Sequence, residues 1–139
     1  MIKFRHIITF IFGGLTYYCA EFIFRTIVNH RDPHWIVFFM GGFSLLAILH
    51  IEKHLKFNLI FKAIIGGAFI TMCELLVGLV FNYLLKDPLW TYGGITFLKI
   101  ISLKWSLLWC AVALGVMLIV RFLKWRNTQV VEESELEPQ

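Results

Sequence analysis

The sequence predicts an all-α integral membrane protein of four transmembrane helices, and three observations carry that expectation. Hydrophobic residues make up 59% of the 139 residues and charged residues only 16%, against about 25% charged in ordinary soluble domains. A chain this short exposes much of its surface, and so few polar residues cannot cover that surface in water. The apolar residues also fall into four long runs, too continuous for barrel strands, which must alternate a lipid face with a lumen face. A secreted disulfide scaffold, a nucleic-acid module and an ordinary cytosolic enzyme are excluded on composition.

The first run, Ile7 to Val28, has 22 residues, enough at about 1.5 Å per residue to cross a hydrocarbon core of roughly 30 Å. Lys3 and Arg5 before it look like the start of a secretory signal. Tyr17, Tyr18, Cys19, Ala20 and Glu21 offer no small-x-small cleavage site, so the run is expected to be retained. The second run extends from Trp35 to Ile51, the third from Leu59 to Leu85, and the fourth from Ile100 to Leu123, interrupted near its start by Lys104. Residues 1–126 thus form the membrane domain. Residues 127–139, with Glu132, Glu133, Glu135 and Glu137, are expected to be an acidic disordered tail.

Lys3, Arg5, Lys53, Lys56, Lys62, Arg121, Lys124 and Arg126 fall on one side of the spans. Arg25, Arg31, Lys86, Lys99 and Lys104 fall on the other side or within the membrane. The bias places both termini in the cytoplasm. The net charge of +4 combines an acidic tail with a basic remainder, which beside lipid reads as an anchor to anionic headgroups and not as a nucleic-acid site. Cys19, Cys73 and Cys110 all lie inside runs, without metal or redox spacing, and read as small apolar fillers. No disulfide, metal or cofactor is expected.

Two stretches of the chain repeat one order of residues. Gly13, Gly14 and then Glu21 are matched by Gly66, Gly67 and then Glu74; Arg31, Asp32, Pro33, His34, Trp35 by Lys86, Asp87, Pro88, Leu89, Trp90; and Gly41, Gly42 by Gly93, Gly94. The pattern predicts two two-span repeats, about 10–50 and 63–123, in the same orientation. In each copy Asp is expected to cap a helix, Pro to occupy its first position and Trp to sit at headgroup level. A helix from Pro88 to Leu123 would be too long for one span, so a break is expected at Gly93 and Gly94, leaving a short interfacial or re-entrant piece around Trp90 and Tyr92.

Ionisable residues inside the runs are costly, and they commonly mark a path or a site. Glu21 and Arg25 stand four apart and meet on one helix face. Glu74 has no such neighbour. Gly67, Thr71, Glu74, Gly78 and Asn82 share one arc of the third helix. The simplest packing turns that stripe toward the stripe of Gly14, Tyr17, Tyr18, Glu21 and Arg25, with Arg25 between two carboxylates near the midplane. The alternative is that these groups only tie helices together. His50 and His54 read as a solvated helix end, since a zinc protease would place Glu directly after the first His. His34 beside Trp35 reads first as an interfacial anchor. No Ser-His-Asp set, phosphate-cradling loop or Walker lysine is present.

The ordered set Gly13, Gly14, Tyr17, Tyr18, Glu21, Arg25, His34, Trp35, Gly41, Gly42, then Gly67, Thr71, Glu74, Gly78, Asn82, Trp90, Tyr92 and Ser106 to Trp109 resembles a family of small bacterial membrane proteins, the ABC-transporter type IV permeases or CmpB-like group. The resemblance spans residues from about 10 to 110. It departs at Thr91, where the family has an acidic residue, and at Lys104, where it lacks a lysine. It implies a permease-like protein of the bacterial inner membrane.

Binding or passage of a small solute, ion or lipid headgroup is therefore expected at Tyr17, Glu21, Arg25, His34, Trp35, Glu74, Asn82, Trp90 and Tyr92, with the lipid bilayer as partner. One subunit is thin for a path, so a homo-oligomer or partner subunit is expected. A scaffold or accessory subunit and a small pore-forming effector are the alternatives. An enzyme is disfavoured because no nucleophile or metal set accompanies these residues.

Overall fold

The structure, a computed structural model, describes residues 3–28 and 32–136. Its elements in chain order are α1 (Phe4–Val28), α2 (Ile36–His54), α3 (Leu59–Gly78), a π-helical turn (Leu79–Leu84), a hairpin of β1 (Thr96–Phe97) and β2 (Ile101–Ser102), and α4 (Leu103–Leu136). Four helices are long and apolar enough to cross a membrane. The chain is a multi-pass membrane protein, as its composition requires. Only 11% of the apolar window is buried in each of α1 and α4, so most of their Phe, Ile and Leu side chains face outward, where lipid replaces water as solvent.

The helices pack as two hairpins, α1 on α2 and α3 on α4, joined through α2 against α3. Small residues make both crossings close, because bilayer helices associate through packing and not through expulsion of water. A methyl group on Gly13 would lie 2.8 Å from the Gly41 carbonyl oxygen; one on Gly67 would lie 2.7 Å from the backbone nitrogen and Cα of Cys110. The central core gathers Ile48, Ile51, Ala63, Ile70, Trp109, Ala113 and Met117. At the end of the bundle where α2 finishes and α3 starts, buried Lys62 donates to the Glu52 carbonyl oxygen at 2.8 Å and to Glu52 Oε2 at 3.2 Å. Arg121 Nε of α4 meets Glu52 Oε1 at 2.7 Å. One carboxylate thus ties three helices together. Asn58 opens α3, its side-chain oxygen accepting from the Phe61 N–H at 2.8 Å.

Several expectations are corrected. The two small and polar stripes do not face each other: Gly67 lies against Cys110, Thr71 donates to Ser106 Oγ at 3.2 Å, and Gly78 abuts Ile100, so the α3 stripe serves α4 and the hairpin. Gly93 and Gly94 have nothing near them and are no packing counterpart of Gly41 and Gly42; Cys110 and Ala113 meet the α3 glycines instead.

Asp-Pro does not open helices as expected. The cap of α2 is Trp35, without a side-chain bond, and His34 Nδ1 accepts from the Ile36 N–H at 3.3 Å. After Pro88 the chain stays non-helical until Leu103, because Trp90 and Tyr92 are bonded into the β-hairpin. The fourth helix accordingly starts at Leu103 and not at Ile100. The segment expected to be a disordered tail is helical through Leu136; an existing helix extends at little cost through good formers such as Glu and Gln. Residues 137–139 of that tail, and Arg31 of the repeated motif, lie outside the described residues.

Candidate functional site

The site begins with the way α3 ends. Beyond Gly78 the helix widens into π geometry, with the Leu85 N–H donating to the Val80 carbonyl at 2.9 Å and the Asp87 N–H to Phe81 at 2.8 Å. Such widenings are frequent at functional positions. Lys86 then adopts a left-handed backbone, φ 52°, which stops the helix. The chain turns back over the bundle and is tied there. Asn82 Nδ2 donates to the Trp90 carbonyl at 3.1 Å, Trp90 Nε1 to the Ile100 carbonyl at 2.9 Å, and the Tyr92 N–H to the Lys99 carbonyl at 2.9 Å. Ile100, fully buried, wedges against Gly78.

Under this segment lies a cavity of about 550 Å³. Tyr17, Glu21, Phe24 and Arg25 reach it from α1, Glu74 from α3, residues 88–92 from above, and Trp105 and Trp109 from α4. Arg25 Nε bonds Glu21 Oε2 at 2.8 Å, and its other nitrogen reaches the Leu89 carbonyl at 3.4 Å. Arg25 is paired with one carboxylate and does not sit between two. Glu74 is 2% exposed. Its Oε1 accepts from the Tyr92 hydroxyl at 3.3 Å, while its Oε2 has no hydrogen-bond partner. The Trp109 indole nitrogen lies beside the same carboxylate without completing a bond of ordinary geometry. Burial, then the Glu74 and Glu21 carboxylates, push the Tyr92 phenol well above its ordinary pKa, so at working pH it remains a donor.

Of the residues singled out in the sequence, Tyr17, Glu21, Arg25, Glu74, Trp90 and Tyr92 share this cavity. Asn82 stands behind it, holding Trp90. His34 and Trp35 do not join it. His34 packs on Phe81 and Trp35, with ring centroids 4.9 and 5.1 Å away, at the start of α2. Glu74 lies in the last turns of α3, four residues before Gly78, and Glu21 and Arg25 lie toward the end of α1, so the cavity occupies the half of the bundle nearer the α1–α2 connection and not the midplane. Sequence reasoning missed Phe24 and Trp105, and met Trp109 only within the family resemblance. The available signal was the i, i+4 spacing of Trp105 and Trp109 at the start of α4.

A carboxylate with an unsatisfied buried oxygen costs stability, whereas an apolar side chain of similar length carries no such penalty. Glu74→Met is therefore expected to leave stability unchanged or raise it by about 1 kcal/mol, read as the thermal midpoint in detergent. A fall of more than that would show that the carboxylate holds the bundle together.

Compared with known proteins, the chain matches no family, no curated protein and no solved structure.

Proposed function

We propose that this is a permease-like protein that binds or passes a small solute, ion or lipid headgroup through the Glu/Arg-lined cavity. It would act in the bacterial inner membrane with both termini cytoplasmic, as a homo-oligomer or with a partner subunit. The observation that supports this reading is Glu74, a carboxylate kept inside a membrane helix with one oxygen unpartnered beside a cavity, where an ionisable group is costly unless used. The resemblance to the type IV permease family and the basic loop bias point the same way.

Proteoliposomes test it with a panel of small cations, anions, amines and headgroup analogues. Flux of at least one probe is expected in the wild type and is expected to fall at least tenfold in Glu74→Gln, with elution and thermal midpoint unchanged. Equal flux in both proteins overturns the reading.

A second reading, an accessory or scaffold subunit, is favoured by one feature. The last turns of α4, through Ser134, are exposed and lie beyond the apolar run that ends at Leu123, leaving a helix available for docking. On this non-transporting reading the protein is expected to show no flux, and deleting residues 127–139 is expected to abolish association with a partner.

A further inference from the structure

We infer that the cavity takes an organic ammonium ion, with Glu74 as its counter-charge and the surrounding aromatic rings in place of its water. The inference rests on the cavity being a binding site, and it names the ligand's chemistry.

Charge decides the sign of the ligand. Among the described residues Arg25 is the single cationic side chain on the wall, and it is already engaged by Glu21 and by the Leu89 carbonyl. An anion would have to displace Glu21 from it. Among the described residues Glu74 has no basic partner, and its Oε2 is free to accept. An ionised cavity thus carries two carboxylates against one guanidinium, and a monovalent cation balances it.

The walls decide what kind of cation. Hard metal ions ask for several oxygen ligands in place of their hydration shell. Among the described residues no three His, Cys, Asp or Glu side chains converge. The cavity is instead ringed by Tyr17, Phe24, Trp90, Tyr92, Trp105 and Trp109. These rings are braced in pairs: Tyr92 stacks on Trp105 at 5.9 Å, Tyr17 lies 5.5 Å from Trp109, and Phe24 meets the edge of Trp105 at 5.7 Å. Aromatic faces attract ammonium groups through their quadrupole and also accept the attached alkyl groups. The volume of about 550 Å³ is in the range of small-molecule pockets and exceeds what a bare inorganic ion fills. Tyr92 is braced from both sides, by Glu74 through its hydroxyl and by Trp105 through its ring, so carboxylate and aromatic wall form one unit.

The test is titration of the detergent-purified full chain with tetraethylammonium chloride, followed by intrinsic tryptophan emission, since three of its five tryptophans line the cavity. Sodium chloride and sodium phosphate at matched ionic strength are the controls. A saturable change is expected with tetraethylammonium alone. Affinity is expected to fall at least tenfold in Glu74→Gln and several-fold in Trp105→Leu, and to be partly kept in Glu74→Asp. Should Glu74→Gln fail to fold, Trp105→Leu carries the comparison. No saturable response to tetraethylammonium, or one equal in both variants, overturns the ammonium assignment. Saturable, Glu74-dependent binding of phosphate or sodium in its place overturns the assignment but keeps the cavity as a site. Silence toward every probe, together with absent flux in liposomes, overturns both.

Discussion

Replacing Glu52 with Ala is expected to lower the stability of the detergent-solubilised protein by about 3 kcal/mol, the low end for removing one partner of a buried ion pair. The loss falls on Lys62. That residue is 5% exposed and donates to both the carbonyl and the carboxylate of Glu52. With the carboxylate gone, a buried ammonium keeps one neutral acceptor, and Arg121 loses its partner across the bundle. Removing both charges should be milder than removing one, so Glu52→Ala combined with Lys62→Met is expected to recover most of the loss. The thermal midpoint should fall on the order of 10 °C for the single variant and much less for the double. A single variant within about 0.5 kcal/mol of the parent, the range of neutral surface changes, would mean that the triad contributes nothing.

Gly67→Leu is expected to be comparably damaging, by about 3 kcal/mol, the upper end for overpacking. A first methyl group at this position already meets the Cys110 backbone at 2.7 Å. Backbone cannot rotate aside as a side-chain tip can. The leucine must therefore push α4 from α3, opening the Thr71–Ser106 hydrogen bond and displacing Trp109 from the core. Gly93→Ala is the matched control, with open space around it, and is expected to stay within about 0.5 kcal/mol. Loss of a disulfide cross-link engineered between α3 and α4 in Gly67→Leu would report the separation directly. Retention of both cross-link and midpoint would show that the crossing tolerates bulk.

The difference between these two glycines shows where sequence reasoning stops. Gly66 with Gly67 and Gly93 with Gly94 look alike as dipeptides. One pair meets a neighbouring helix, and the other lies in a loop with nothing beside it. Spacing along one helix gives the residues that share a face, as it did for Gly67, Thr71, Glu74 and Gly78. It does not give the partner of that face, and here the partner is α4 with the hairpin, not α1. Lys62 was legible only as one more basic residue near a span end. Its burial against Glu52 depends on how α2 and α3 meet. The acidic stretch after Arg126 reads as disorder from composition, yet it continues a helix whose nucleation has already been met by the span before it.

Sequence alone determined that the solvent of this protein is lipid, that four helices cross it, and that Glu21, Arg25 and Glu74 are its costly groups, because hydrocarbon length and the penalty on intramembrane charge act on each span independently. Only the tertiary structure decided that Arg25 pairs with the Glu21 carboxylate and not with that of Glu74, that Glu74 faces a cavity with an oxygen to spare, and that Trp105 and Trp109 complete its wall. Those facts depend on which helices cross at which glycines and on how the chain between Lys86 and Ser102 folds back, and such long-range packing leaves no period in the sequence.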